Sequence, residues 1–193
     1  MSASHSADYD VIAVGAGFAG ISLSYHLREA GFNVKVFDRA SDVGGTWAWN
    51  KYPGAATDSE SYYYCLTFSK EVLQEWSWSK RYSGWEETQS YLKFVMDKFA
   101  LWPMFQLSTE VESAAFDKAT GLWNVRTGDG QTHTAKYFVS AMGMISQPVL
   151  PNIPGQDRFN GPIFHSSRWP EGLDVAGKRV GIIGAGATTV QML

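Results

Sequence analysis

Residues 9–38 read YDVIAVGAGFAGISLSYHLREAGFNVKVFD, and the order of residue types in this stretch decides the fold. Val11–Val14 is a short apolar run rich in β-branched residues and ended by Gly15, the pattern of a parallel strand buried on both faces. Gly15-x-Gly17-x-x-Gly20 follows and opens a helical pattern with Leu23 and Leu27 on one face. Gly31 closes that helix, and Val34–Phe37 reads as a second strand ending at Asp38. In such a unit the first glycine permits the tight turn, the second lets backbone approach a pyrophosphate, and the third allows close helix–strand packing. The phosphates then meet the free N–H groups at the helix N-terminus. Asp38 stands 18 residues beyond Gly20, where an acid accepts hydrogen bonds from the adenosine ribose. The glycines alone fit a turn in any α/β domain. Strand, glycines, helix, second strand and acid in register predict a dinucleotide site.

The remaining composition narrows the function classes. A chain of 193 residues has room for one domain, or one and part of another. Hydrophobic residues make up 45%, enough for a core, and no segment approaches the roughly 18 consecutive apolar residues of a membrane span. A net charge of −3 offers no basic face for nucleic acid. The single cysteine, Cys65, excludes an internal disulfide and fits a reducing compartment, so the expected location is cytoplasmic. Cys65 itself reads as a small buried hydrophobe, and no metal site is expected. Residues 1–8 lack the basic start and apolar core of a signal peptide and read as a disordered lead-in.

Beyond Asp38, the Gly44-Gly45 pair marks either a tight turn or a loop lying against a neighbour, because glycines let backbone come close. Residues 47–102 hold 15 of the 28 aromatics, so most of them must be packing and a minority could line a pocket. Residues 86–99 read as an amphipathic helix with Tyr91, Leu92, Val95 and Phe99 on its apolar face. Val111–Phe116, Leu122–Arg126 and Thr132–Ser140 read as a small antiparallel meander whose last strand returns to the main sheet. Pro148, Pro151 and Pro154 put a boundary in 145–160. Lys178–Leu193 then repeats a strand–GxG–helix start, with Val180–Ile183 as strand and Thr189 at the third glycine position. A Rossmann half needs further βα units to cover both faces of that strand, so this segment is expected to be truncated.

Between the two glycine motifs lies FNGPIFHSSRWP, that is Phe159-x-Gly161-x-x-x-His165-x-x-x-Trp169-Pro170. This string resembles the fingerprint of type I Baeyer–Villiger monooxygenases and falls where that family places it, just before the second GxG. GTWAWNKYPGAATDSESYYY is similar to the family's GTWYWNRYPG…D segment, and Ala141-Met142-Gly143 stands at its alanine–threonine–glycine turn. The match covers residues 9–193 and is nearest the branch acting on phenylacetone, cyclohexanone and steroid ketones. The implied fold is α/β. Residues 9–144 would form a Rossmann-like FAD-binding domain of parallel sheet, helices and antiparallel β-meander, lacking its C-terminal completion. Residues 145–177 would be a linker, and 178–193 the first strand and helix start of a second, NADP-binding Rossmann-like domain.

The resemblance implies that Gly15, Gly17, Ala19, Gly20 and Asp38 hold the ADP half of FAD. Thr46, Trp47 and Trp49 would line the flavin side, with Asp58 and Tyr64 near the ring and Val111 contacting the adenine half through its backbone. Ala56, Thr57 and Asp58 would also meet NADPH, whose pyrophosphate Gly184, Ala185, Gly186, Ala187, Thr188 and Thr189 would cradle. The chain departs from the family at Asp38 for Glu, Ala48 for Tyr, Lys51 for Arg, and Thr189 for a small residue. The implied reaction inserts one oxygen of O2 beside a ketone carbonyl through a C4a-peroxyflavin, giving an ester or lactone. Asp58 would orient an arginine from beyond residue 193; its other reading is an Asx turn after Pro53-Gly54. His165 reads as a hinge or anchor of the linker, with direct proton transfer the alternative. The rival functions are a nitrogen- or sulfur-oxygenating flavin monooxygenase, against which Trp169-Pro170 argues, and a non-catalytic flavin-binding fragment.

Overall fold

β1 (Tyr9–Val14) lies at the centre of a six-stranded sheet in the computed structural model, which describes residues 6–193. α1 (Phe18–Glu29) crosses over to β2 (Val34–Phe37), which pairs parallel to β1 with Val11 opposite Val34 and Val14 opposite Phe37. The apolar runs are buried on both faces, as parallel strands require. Val11, Ala13, Val34 and Val36 pack under Leu23 and Leu27 of α1, whereas Ile12 and Phe37 join Val125 and Ala135 on the opposite face.

A second layer sits over the α1 face. It holds α2 (Thr46–Trp49), α3 (Lys70–Glu75) and α4 (Trp85–Lys98). α4 forms one residue ahead of the expected span at each end. Its Tyr91, Leu92, Val95 and Met96 are fully buried, and Glu86 and Glu87 in its first turn complement the helix dipole. The aromatic run is mostly packing. Tyr25 stacks on Phe68 at 4.1 Å between centroids, and Trp76, Trp78 and Phe94 gather around Tyr91 and α4. Burial pushes the Tyr91 hydroxyl up to about 12, while the Leu66 N–H donates to it at 2.6 Å. Cys65 is half-buried and accepts from Trp78 Nε1 at 3.2 Å.

The chain then completes the sheet with β3 (Phe105–Gln106), β4 (Val111–Asp117), β5 (Leu122–Thr127) and β6 (Thr132–Ser140), in the order β3-β2-β1-β6-β5-β4. The meander belongs to the same sheet. Thr132–Ala135 of β6 pair antiparallel with β5, and Ala135–Ser140 pair parallel with β1. The two-residue strand β3, which no periodicity announced, pairs parallel with β2.

Two expectations change. Asp8 is structured: its carboxylate accepts from the Thr134 N–H at 2.7 Å, and its own N–H donates to the Thr134 hydroxyl. Those bonds hold the Asp8 carboxyl below the usual range, and tie the entry of β1 to β6. Of the rest of the expected lead-in, residues 6–7 form no regular element and residues 1–5 lie outside the described residues. Val180–Ile183 makes no ladder, and Val180 and Ile183 are 55% and 75% exposed. A strand needs a partner for its backbone groups, and none lies beside this segment among the described residues. Only the helix after it, α5 (Ala187–Met192), forms.

Candidate functional site

The first glycine motif forms a turn at the C-terminal end of β1 that tolerates no side chains at two positions. A Cβ on Gly15, whose φ is +116°, would fall 2.4 Å from the Ala141 carbonyl oxygen, and one on Gly20 would fall 1.9 Å from the Gly15 oxygen. Ala141 itself donates to Val14 O, so the Ala141-Met142-Gly143 turn is brought directly against the glycine motif. Gly44 and Gly45 also pack on it: Gly44 N–H donates to Ala16 O at 2.9 Å, and a Cβ on Gly45 would meet Gly17 Cα at 2.9 Å. The loop therefore lies against protein backbone at this point. Among the described residues no side chain caps α1, which leaves its first-turn N–H groups and positive dipole end for an external acceptor.

Asp38 closes this end of the sheet. Its Oδ2 accepts from the Ala16 N–H at 2.6 Å and its Oδ1 from the Ala40 N–H at 2.7 Å. Each oxygen retains a lone pair, so the shorter aspartate is held with acceptor capacity to spare. Its carbonyl accepts from Thr109 N–H, which brings Val111 at the start of β4 to the same edge. Ala19 is exposed in the first turn of α1. The glycine cradle, the uncapped helix end and the anchored carboxylate fit the ADP half of a dinucleotide.

Trp47 is buried and meets Tyr64 edge-on at 5.7 Å, and Tyr64 meets Phe18 at 5.6 Å, making an aromatic wall beside the start of α1. Thr46 opens α2 directly after the glycine pair. Trp49 holds two guanidiniums, Arg168 at 4.1 Å and Arg39 at 5.5 Å from its ring. Burial, and then the charge of Arg39, lower Arg168 below the ordinary arginine value. Arg39 also donates to Ser146 O at 2.6 Å, so Trp49 draws together Ser146, through Arg39, and Arg168.

The Ala55–Thr57 loop is clamped to the start of α4. Trp85 N–H donates to Ala55 O, Ala56 bridges Gly84, and Thr57 N–H donates to Ser83 O. Beneath it, Ser61 and Ser83 form a buried hydroxyl network with Thr88. The Thr57 hydroxyl is buried and has no hydrogen-bond partner among the described residues. A buried hydroxyl without a partner is costly, and a polar ligand group would offset that cost. Asp58 beside it is exposed, and its carboxylate accepts no hydrogen bond among the described residues, so the Asx turn does not form.

Of the fingerprint, His165 caps the short turn Ser166–Arg168. Its Nδ1 accepts from the Ser167 N–H at 3.1 Å and lies 2.9 Å from the Ser167 hydroxyl. Phe159 is exposed, its ring occupying the space a Cβ on Gly161 would need. Trp169 meets Phe164 edge-on. Trp169 and Pro170 line a cleft of about 850 Å³ together with Trp49, Tyr52, Ala56 and Trp85. The two motifs that the sequence separates by a hundred residues thus share one cavity. In the second glycine motif, Gly184 has φ +138° and the Thr189 hydroxyl stands at an ordinary 3.4 Å from its Cβ position, so Thr189 does not crowd it. Ala185 and Gly186 lead into Ala187, Thr188 and Thr189 of α5.

Residues 12–192 match the family model described as pyridine nucleotide-disulphide oxidoreductase. The chain belongs to that family. Among its relatives, a Baeyer–Villiger monooxygenase of Pseudooceanicola batsensis is 47% identical over 188 residues, covering 97% of this chain and 34% of that protein. A phenazine N-monooxygenase of Lysobacter antibioticus is 47% identical over 186 residues, covering 96% and 34%. A solved cyclohexanone monooxygenase from Rhodococcus sp. Phi1, bound to NADP+, superposes with a TM-score of 0.90 at 43% identity, covering 95% of this chain and 35% of that one. The chain spans about a third of the length of the curated relatives it matches. Within the pyridine nucleotide-disulphide oxidoreductases it is thus similar over nearly its whole length to one part of these monooxygenases. Tyr52, Ser61, Ser83 and Gln191 escaped the sequence reading; Tyr52 and Gln191 sit inside the motifs but meet 139 residues apart. Among the described residues no helix is long and apolar enough to cross a membrane.

Proposed function

We propose that the chain is the N-terminal part of an FAD-dependent, NADPH-using Baeyer–Villiger monooxygenase that inserts one oxygen of O2 beside a ketone carbonyl to give an ester or lactone. The observation that carries this reading is the shared cleft: the fingerprint's Trp169 and Pro170 line it together with Trp49, Tyr52 and Ala56. In this reading residues 9–144 are the FAD-binding domain, 145–177 the linker and 178–193 the start of the NADP-binding domain, and the protein works in the cytoplasm.

FAD, when bound, supplies the redox chemistry that accepts reducing equivalents and activates O2. The chain's own residues bind and orient. Gly15, Gly17, Ala19 and Gly20 admit the pyrophosphate to the uncapped end of α1, and Asp38 accepts from the adenosine ribose while holding the turn through Ala16, with Val111 at the adenine edge. Thr46, Trp47, Trp49 and Tyr64 wall the flavin side and exclude water. Ala56 and the unpaired Thr57 hydroxyl meet the nicotinamide cofactor, and Gly184–Thr189 hold its pyrophosphate. Asp58 offers an uncommitted carboxylate that can orient a cation from outside these residues and tune its field. His165 acts on the linker, since its Nδ1 is engaged in capping.

Nitrogen oxygenation is the alternative the test separates, because the phenazine N-monooxygenase and the Baeyer–Villiger relative are equally identical to this chain at 47%. The test uses the purified full-length protein with NADPH, O2 and either cyclohexanone or phenazine. The expected outcome is a bound flavin spectrum, ketone-dependent NADPH oxidation and lactone detected by gas chromatography. Oxidation with phenazine alone, yielding an N-oxide, would transfer the assignment to that alternative, and a colourless protein that takes up no FAD would overturn both.

A further inference from the structure

Loop 52–58 and α5 meet through three contacts of different kinds. The Tyr52 hydroxyl, on a buried side chain, donates to Gln191 Oε1 at 2.6 Å and lies 3.4 Å from the Thr188 hydroxyl. Gln191 Nε2 donates to the Ala56 carbonyl at 2.8 Å. Gly54, at φ +82°, comes so close to the helix that a Cβ there would sit 2.1 Å from the Gln191 carbonyl oxygen. A carboxamide carries both an acceptor and a donor, so Gln191 can serve the hydroxyl and the carbonyl at once. Glutamate offers only acceptors when ionised and would set a charge against the Ala56 oxygen.

The far side of the same loop is fixed as well. Ala55, Ala56 and Thr57 are bonded to Trp85, Gly84 and Ser83 at the start of α4. α5 is therefore tied by one side chain to a loop that cannot retreat, two residues before Asp58. Val180–Ile183, ahead of α5, makes no ladder among the described residues, so this clamp supplies much of what orients the second glycine motif here.

We propose that Gln191, held by Tyr52, is a positioning residue that sets the second glycine motif against the Thr57–Asp58 loop and thereby fixes where the nicotinamide cofactor lies relative to the flavin. The inference rests on the reading above that the two motifs hold FAD and NADPH. The nicotinamide cofactor, when bound, would supply the reducing equivalents and the flavin would accept them; Gln191 and Tyr52 would set the distance between the segments that hold the two groups. Misplacing such a pair by about 1 Å costs up to roughly a hundredfold in rate.

The test compares the FAD-loaded full-length protein with its Gln191→Ala, Gln191→Glu and Tyr52→Phe variants. Flavin bleaching at saturating NADPH is followed without O2 by stopped flow. Hydrogen exchange of segments 52–58 and 187–193 is measured with no nicotinamide present. Gln191→Ala should bleach roughly ten- to a hundredfold more slowly with unchanged FAD content and little change in half-saturating NADPH. Gln191→Glu should not restore the rate. Tyr52→Phe should act in the same direction, and the double variant should be no slower than Gln191→Ala, because the pair acts as one unit. Exchange should rise in both segments together. Bleaching at the parent rate, effects that multiply as independent ones, or faster exchange in 187–193 alone would overturn the inference. Tyr52→Phe removes one hydroxyl and decides the matter should Gln191→Ala fail to fold. A parent protein that binds FAD but is not bleached by NADPH refutes the cofactor reading itself, whereas a bleached parent with unaffected variants refutes only the role of Gln191.

Discussion

Asp38 has two tasks that its spacing could not separate. The sequence marks it as the ribose-binding acid; the structure adds that its carboxylate holds the Ala16 N–H at 2.6 Å and the Ala40 N–H at 2.7 Å. Asp38→Ala in the full-length protein removes a charged acceptor from the ribose and the tie that keeps the glycine turn in place. A hydrogen bond to a charged group contributes about 1.5–3 kcal/mol, so FAD should bind roughly ten- to a hundredfold more weakly. The flavin-to-protein ratio after dialysis is the measurement, and equal ratios in parent and variant would refute the assignment. Gly20 was legible for a related reason: its contact with the Gly15 carbonyl is enforced within the βαβ unit, so the local pattern contains the constraint, whereas Gly15 shows itself by the motif although the backbone it meets is that of Ala141. Tyr52, Ser61 and Ser83 were not. Their partners lie far along the chain or on loop backbone, which no periodicity encodes.

At the scale of elements, legibility followed hydrogen-bond partnership. β2 and β6 begin and end where their residue types change, because a strand paired on both edges has little freedom at its ends. β3 escaped notice, since two residues carry no alternation to read. Val180–Ile183 has the composition of a strand and, among the described residues, no strand beside it, so propensity had nothing to act on. The fingerprint turn is a third case: its residues were recognisable, but their engagement with Trp49 through Arg168 was not. His165 holds the turn that presents Arg168. His165→Ala in the full-length protein should therefore leave FAD content near the parent value while slowing flavin reduction by NADPH or diverting NADPH oxidation from product to hydrogen peroxide. The pH–rate profile of oxygenation should gain or lose no ionisation. A profile that loses one limb in the variant would make His165 an acid or base and displace the capping role.

The sheet is continuous from β3 to β4, and backbone hydrogen bonds bring Ala141 against the end of β1 and Thr109, ahead of Val111, against Asp38, the surface proposed above for the ADP half of FAD. The second motif has no such sheet around it. α5 rests on loop 52–56, while Val180, Ile183 and Val190 are exposed, as are Met144, Ile145 and Val149. Exposed apolar surface of that extent favours association. Asp58 forms no ion pair among the described residues, so an anion developing beside it would lack a fixed positive charge there; the two guanidiniums at hand, Arg39 and Arg168, are committed to the Trp49 ring. Residues 1–193 alone are therefore expected to take up FAD weakly, to bind a hydrophobic dye, and to form no lactone. The assay adds FAD, NADPH and cyclohexanone to the purified 193-residue chain and looks for ε-caprolactone by gas chromatography against a free-flavin blank. Product above that blank would mean that these residues carry a complete reaction site, and that the stabilising charge lies among them, with Arg39 and Arg168 around Trp49 the first groups to replace.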